Sequence, residues 1–308
     1  MKNPGKSLFD RLRLWPASGQ EAAPFDRSRM LAFMHIPKTA GSSMIGALAN
    51  ALQSRHVVSG YDHILFGAYS DFASFAPEVQ KLIYHTPDAL PETELVVGHI
   101  SYDTLMRRYP AAQVTTVLRE PMLRLLSLWI FWRGHSDARL AEWGSWANTV
   151  RLARGPLEHF LRAQQLACQT DNVAVRMLLS PNKLIPPHSF IDPQHDATLL
   201  AQATQRLRGF AYADVLESDR FLDDWQAWLG VPVSLSRLNE TSKVPAPLRS
   251  LLDMEMTDDA LNQLARCTRL DLELWRHVAG WRLTETERLR EHALLRGVAR
   301  YASMMAPA

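Results

Sequence analysis

One lysine, one glycine and three hydroxyl residues occupy the six positions from Lys38 to Ser43. An apolar run, Met30 to Ile36, precedes them and breaks at Pro37; an apolar-periodic segment follows. This pattern predicts a strand, a tight loop and a helix start. Backbone N–H groups at a helix start lack intrahelical partners and carry partial positive charge, which suits a phosphate. Thr39, Ala40, Gly41, Ser42 and Ser43 would supply the amides, Gly41 would let the backbone approach the anion, and Lys38 adds a mobile charge. A Walker-type loop has glycine directly before its lysine. Here Pro37 holds that position, which disfavours an ordinary ATP or GTP site. The same residues also fit a plain hydroxyl-capped turn with Lys38 in solvent.

A second group, Arg119, Arg124 and Ser127, follows the β-branched run Val114 to Leu118. Open α/β sheets bind ligands at the C-terminal ends of their strands, where Arg119 falls. Arg124 and Ser127 stand three apart on a helix predicted from Pro121 to about Trp132, so they share a face. A guanidinium fork matches phosphate oxygens, and a serine hydroxyl adds a neutral donor. The competing expectation is structural, with the arginines paired to carboxylates such as Glu120.

Among the histidines, His99 is best placed for proton transfer. It ends the short apolar run Leu95 to Val97, and imidazole titrates near neutral pH. His35, beside the loop, reads as structural, while His63, His85, His188 and His195 fall in loops where any could meet a second substrate. No Cys/His spacing suggests zinc.

The elements that must position these residues read as an α/β chain. Strands are expected at 30–36, 95–97, 114–118 and 212–216, and helices at 102–108, 121–132, 196–208, 221–229, 258–277 and 284–304. Residues 54–93 read as loop, and 138–180 as mostly helical with a break at Gly155-Pro156. The expectation is an open parallel sheet flanked by helices, P-loop-like, with a largely helical middle and C-terminal part. Residues 1–28 read as a weakly structured lead-in, and 29–308 as one domain with a core to about 245 and a helical extension from 246.

A charged fraction of 21% and a hydrophobic fraction of 47% are those of an ordinary globular protein, and a net charge of +2 is too small for a nucleic-acid binder. Two distant cysteines make no disulfide framework, so a reducing compartment is the default. No stretch approaches a membrane span or a signal-peptide core. Leu8, Phe9, Leu12 and Trp15 among basic residues allow peripheral membrane contact. The expected location is cytoplasmic, with the inner membrane surface as the place of any such contact.

HIPKTAGSS at 35–43 resembles the 5′-phosphosulfate loop of the carbohydrate sulfotransferases related to the heparan sulfate 2-O-sulfotransferases. Their 3′-phosphate motif is similar to Arg119-Glu120-Pro121, Arg124, Ser127 and Trp129, some 80 residues on. The resemblance implies 3′-phosphoadenosine 5′-phosphosulfate (PAPS) as donor, PAP as product and no metal. It implies a carbohydrate hydroxyl as acceptor. Lys38 and His99 become the catalytic pair, the loop residues hold the 5′-phosphate, and Arg119 and Ser127 hold the 3′-phosphate. Gly98-His99-Ile100-Ser101-Tyr102 is similar to the string carrying the family's base, except that Val97 stands where those enzymes have a further histidine. QTDNVAVRML at 169–178 resembles a family helix entry, and LNETSKV at 238–244 resembles a late loop that would add Ser242 and Lys243 to the nucleotide site. Two readings compete: a P-loop kinase or NTPase, and an inactive nucleotide- or glycan-binding module.

Overall fold

The computed structural model describes residues 23–234, 244–282 and 285–307. The fold is α/β. Its strands are β1 (Leu31–Met34), β2 (Val57–Val58), β3 (Tyr61–Asp62), β4 (Ile83–Tyr84), β5 (Leu95–Gly98), β6 (Gln113–Leu118) and β7 (Tyr212–Val215). The principal helices are α1 (Gly41–Leu52), α2 (Tyr102–Arg108), α3 (Pro121–Arg133), α4 (Val173–Leu179), α5 (Asp196–Leu207), α6 (Phe221–Leu229), α7 (Asp258–Arg282) and α8 (Thr286–Met305). Five strands form one parallel sheet in the order β2-β5-β1-β6-β7. β3 and β4 form a separate two-stranded pair.

Alternation along β1 explains why helices cover both faces of the sheet. Leu31 and Phe33 pack with Met44 and Leu48 of α1 and with Trp225 and Trp228 of α6. Ala32 and Met34 join the larger core, which includes Leu123 and Leu126 of α3 and Leu274 and Trp275 of α7. A parallel sheet buried on both faces reads as continuous apolar runs, and β1 and β5 are buried throughout.

Several expectations shift. The first strand is four residues long, because His35 and Ile36 already belong to the loop. The stretch expected as loop at 54–93 contains β2, β3 and β4, each two residues long and too short to show a period. The helical middle is a chain of short helices and turns from 137 to 179. Ser242 and Lys243, with most of the 238–244 loop, lie outside the described residues, as does the basic amphipathic segment at 8–15. Among the described residues no helix is long and apolar enough to cross a membrane.

Strand order has a direct consequence for ligand binding. The chain leaves β1 toward β2 on one side of the sheet, whereas it leaves β6 toward β7 on the other. The crevice at the C-terminal ends of β1 and β6 is therefore a topological switch point, the place where open parallel sheets bind ligands. The loop carrying Lys38 and the turn carrying Arg119 meet there.

Candidate functional site

Three cations converge at that crevice. Arg119 donates from Nη1 to the Lys38 carbonyl at 3.1 Å. Arg124 on α3 lines a cleft of about 10 Å³ under the loop, with Ile36, Thr39 and Arg119. Lys38 Nζ lies 3.6 Å from the centre of the Phe131 ring, also on α3. Arg124, Ser127 and Phe131 follow one another at spacings of three and four, the period of one helix face. Ser127 is buried, and its hydroxyl has no hydrogen-bond partner among the described residues.

What separates these cations from the other arginines is the lack of an ion pair. Arg133, Arg176, Arg269 and Arg290 each lie within salt-bridge reach of Glu255, Asp171, Asp196 and Glu120 respectively. Among the described residues Lys38, Arg119 and Arg124 have no carboxylate within 4.0 Å. Asp271 of α7, held by the Ala174 and Val175 amides, lines the same cleft, and its charge opposes the effect of burial on Arg124 without a direct ion pair. The expected Arg119–Glu120 pairing does not form. One oxygen of Glu120 takes Arg290 and the other caps the Leu123 amide. Arg124 is 3% exposed, and its Nε and Nη1 have no hydrogen-bond partner. Burial first, then the Arg119 and Arg124 charges, lower the Lys38 ammonium to about 7. Burial also lowers Arg124 to about 10. A buried guanidinium left partly unpaired is costly, and a multivalent anion would remove that cost.

His35 packs against the loop at Gly41. Lys38 and Ala40 take the left-handed conformation, at φ 71° and 65°, costing each non-glycine residue on the order of 1 kcal/mol. Gly41 has no positive φ. Its amide donates to His35 Nε2 at 3.0 Å, and a Cβ at 41 would stand 2.0 Å from the His35 ring. Glycine is needed there for room. Thr39 sends both its amide and its hydroxyl back to the Ile36 carbonyl, and the Ser43 amide bonds Ala40. The amides of Lys38 and Ala40 have no partner among the described residues and remain available to a ligand. Gly41→Ala should drive the ring aside and lower stability by about 1–3 kcal/mol. Chemical denaturation measures it, and an unchanged midpoint would refute this account of the loop.

His99 is the imidazole held best for proton transfer. Its Nδ1–H donates to the His35 carbonyl at 2.7 Å, which leaves Nε2 as the acceptor. The ring lies between His35, at 4.2 Å between centres, and Tyr61, at 5.3 Å, both roughly parallel. Backbone bonds from His99 N–H to Gly60 and from Asp62 N–H to the His99 carbonyl, both 2.9 Å, fix the residue to β3. Burial lowers His99 to about 4, helped by the Lys38 charge and opposed by the bond to the His35 carbonyl. Burial also holds His35 well below its ordinary value. Both rings are neutral at pH 7.

Three parts of the site had no signal in the sequence. Tyr301 of α8 accepts a short hydrogen bond from Arg119 Nη2, and its own hydroxyl donates to the Leu123 carbonyl at 3.2 Å. His135, just past α3, is lowered to about 4 by burial and by the Arg139 and Lys38 charges. Asp62 accepts from Ser101 and Thr104 at 2.8 and 2.6 Å, and so ties β3 to the start of α2. Phe131 was detectable, four residues beyond Ser127. Asp171 and Asn172, read as an acceptor contact or a cap, are internal: Asp171 pairs with Arg176, and Asn172 accepts from Leu270 of α7. Both cysteines are buried, and burial pushes each thiol up to about 12. Among the described residues no group of His, Cys, Asp and Glu has the arrangement of a metal site.

Scanned against protein-family models the chain matches none, and no curated protein matches it.

Proposed function

We propose that the chain is a sulfotransferase with a P-loop-like cradle, moving a sulfuryl group from PAPS to a carbohydrate hydroxyl. One observation carries the reading. Lys38, Arg119 and Arg124 gather at the switch point of a parallel sheet with Asp271 as the one carboxylate lining the cleft and no ion pair to any of the three among the described residues, beside a histidine of fixed tautomer. That arrangement asks for a bound anion with several charges and a nearby proton to remove.

Lys38 would neutralise the charge that grows on the leaving 5′-phosphate oxygen, and the Lys38 and Ala40 amides would add donors to that phosphate. Arg119, with Ser127 and Arg124 behind it, would hold the 3′-phosphate. His99 Nε2 would take the proton of the acceptor hydroxyl. PAPS supplies the activated sulfuryl group: the acceptor O–S bond forms as the S–O bond to the 5′-phosphate breaks. A magnesium-dependent kinase would use a carboxylate after a strand. Glu120 is already committed, and Glu217 accepts from the Glu120 amide and from Trp275.

Calorimetry with PAP in the absence of magnesium tests this reading. PAP should bind about tenfold or more tightly than AMP, since charged hydrogen bonds to a 3′-phosphate are worth about 1.5–3 kcal/mol each. Tight ATP binding with no preference for a 3′-phosphate would overturn it. The pH dependence follows from Lys38. In the free protein its ammonium loses its proton near pH 7, and a bound dianion raises that value. Binding should therefore take up close to one proton at pH 8.5 and none by Lys38 at pH 6, where the phosphates, with second pKa values of about 6, instead release protons, and affinity should fall as pH rises above 7. Heats measured in buffers of different ionisation enthalpy count that proton.

A further inference from the structure

A cavity of about 610 Å³ opens between the turn His63–Phe66 and the loop at 180–187, and Lys38, His99, Arg119, Arg124 and Ser127 all lie outside its lining. Its volume is that of a small-molecule site. The walls are aliphatic, from Ile64, Leu65, Ile185 and Pro187, with no aromatic side chain among the lining residues. The ionisable side chains other than Cys168 that line it are His63, Arg176 and Lys183, and no carboxylate does.

The cations differ in what they can offer. Arg176 is consumed, bonding the Asp171 carboxylate and the carbonyls of Asp171, Pro186 and Ser189. His63 turns Nδ1 toward the Tyr84 carbonyl and Asp62, both at 3.3 Å, which leaves Nε2 uncommitted. The hydrogen bond to Asp62 raises the His63 imidazole above its ordinary value, so it holds a proton more readily. Lys183 is exposed and has no ion pair among the described residues. A pocket with aliphatic walls, the neutral side chains of Ser180 and Asn182, and a histidine N–H and an ammonium as its uncommitted cationic groups matches a ligand with an alkyl body and one negative head.

We infer that this cavity is a binding site for an aliphatic monocarboxylate, its chain against Ile64, Leu65 and Ile185 and its carboxylate between His63 and Lys183. The site is independent of the nucleotide reading. Titration calorimetry of the whole chain with decanoate, decanol and acetate tests it. Decanoate should bind one to one, with decanol and acetate each weaker by about tenfold or more, as loss of the charged contacts or of the buried chain requires. Lys183→Ala, at an exposed position, should weaken decanoate about tenfold, as should His63→Ala, and Ile185→Trp should weaken it by placing an indole where the alkyl chain packs. PAP affinity, measured on the same samples, should stay unchanged in Lys183→Ala, so failure of one site is told apart from failure of the other. The inference is overturned if decanoate shows no saturable binding, if decanol binds as tightly, or if Lys183→Ala and Ile185→Trp both bind decanoate like the parent chain.

Discussion

Lys38→Ala should lower the proposed sulfuryl transfer, read in single turnover, by about 100- to 1,000-fold, the range seen when one preorganised donor to a developing oxyanion is lost. PAP binding should weaken much less, because Arg119, Arg124 and two loop amides remain. The split follows from where Lys38 sits. Its ammonium rests on the Phe131 ring and is lowered to about 7 by burial and by two neighbouring guanidinium groups. Such a group gains most when negative charge appears beside it, which happens as the leaving oxygen departs. Equal losses in PAP affinity and in kcat/KM would mean that Lys38 binds ground state and transition state alike. The leaving-group role would then be wrong.

His99→Asn should lower the rate by about 100- to 10,000-fold, the usual range for general base catalysis. Asparagine keeps an N–H near the Nδ1 position, so the bond to the His35 carbonyl can persist while the base at Nε2 is lost. The pH profile gives a second readout. As a base His99 would act when neutral, and with its imidazole lowered to about 4 its own acid limb in kcat/KM should fall below about pH 4. Lys38 works when charged, so kcat/KM falls above about pH 7 on the alkaline side. The parent chain should therefore show a bell between these values, and His99→Asn should lose the acid limb while keeping the alkaline one. An unchanged rate across this range would remove His99 from the chemistry.

The sequence showed the parts of this site that lie within single segments. Lys38 follows a strand, Arg119 ends another, and Arg124 and Ser127 repeat at helical spacing; each of these is a local pattern. The sheet class followed from alternation of strands and helices. Gly41 carries a second constraint, the ring of His35 folded back over the loop, a contact that no spacing encodes. β3 was invisible at two residues, yet its Asp62 and the adjoining Gly60 hold His99 by backbone bonds. The Arg119–Glu120 pairing expected from adjacency gave way to Arg290, 170 positions away. Adjacent charges in sequence do not pair when a distant helix supplies the partner.

The bond from Arg119 to Tyr301 spans 182 positions. During synthesis at about 5–20 residues per second, about 10 to 35 seconds separate the two residues at the ribosome. Until α8 docks, Arg119 lacks the hydroxyl that fixes its guanidinium, and the Leu123 carbonyl lacks its donor. Nascent chains with a finished sheet should thus hold an unfinished anion site. Nucleotide occupancy then reports completion of the whole domain, and a ligand added to refolding chains would act late, by trapping the docked helix, more than early, by seeding the sheet.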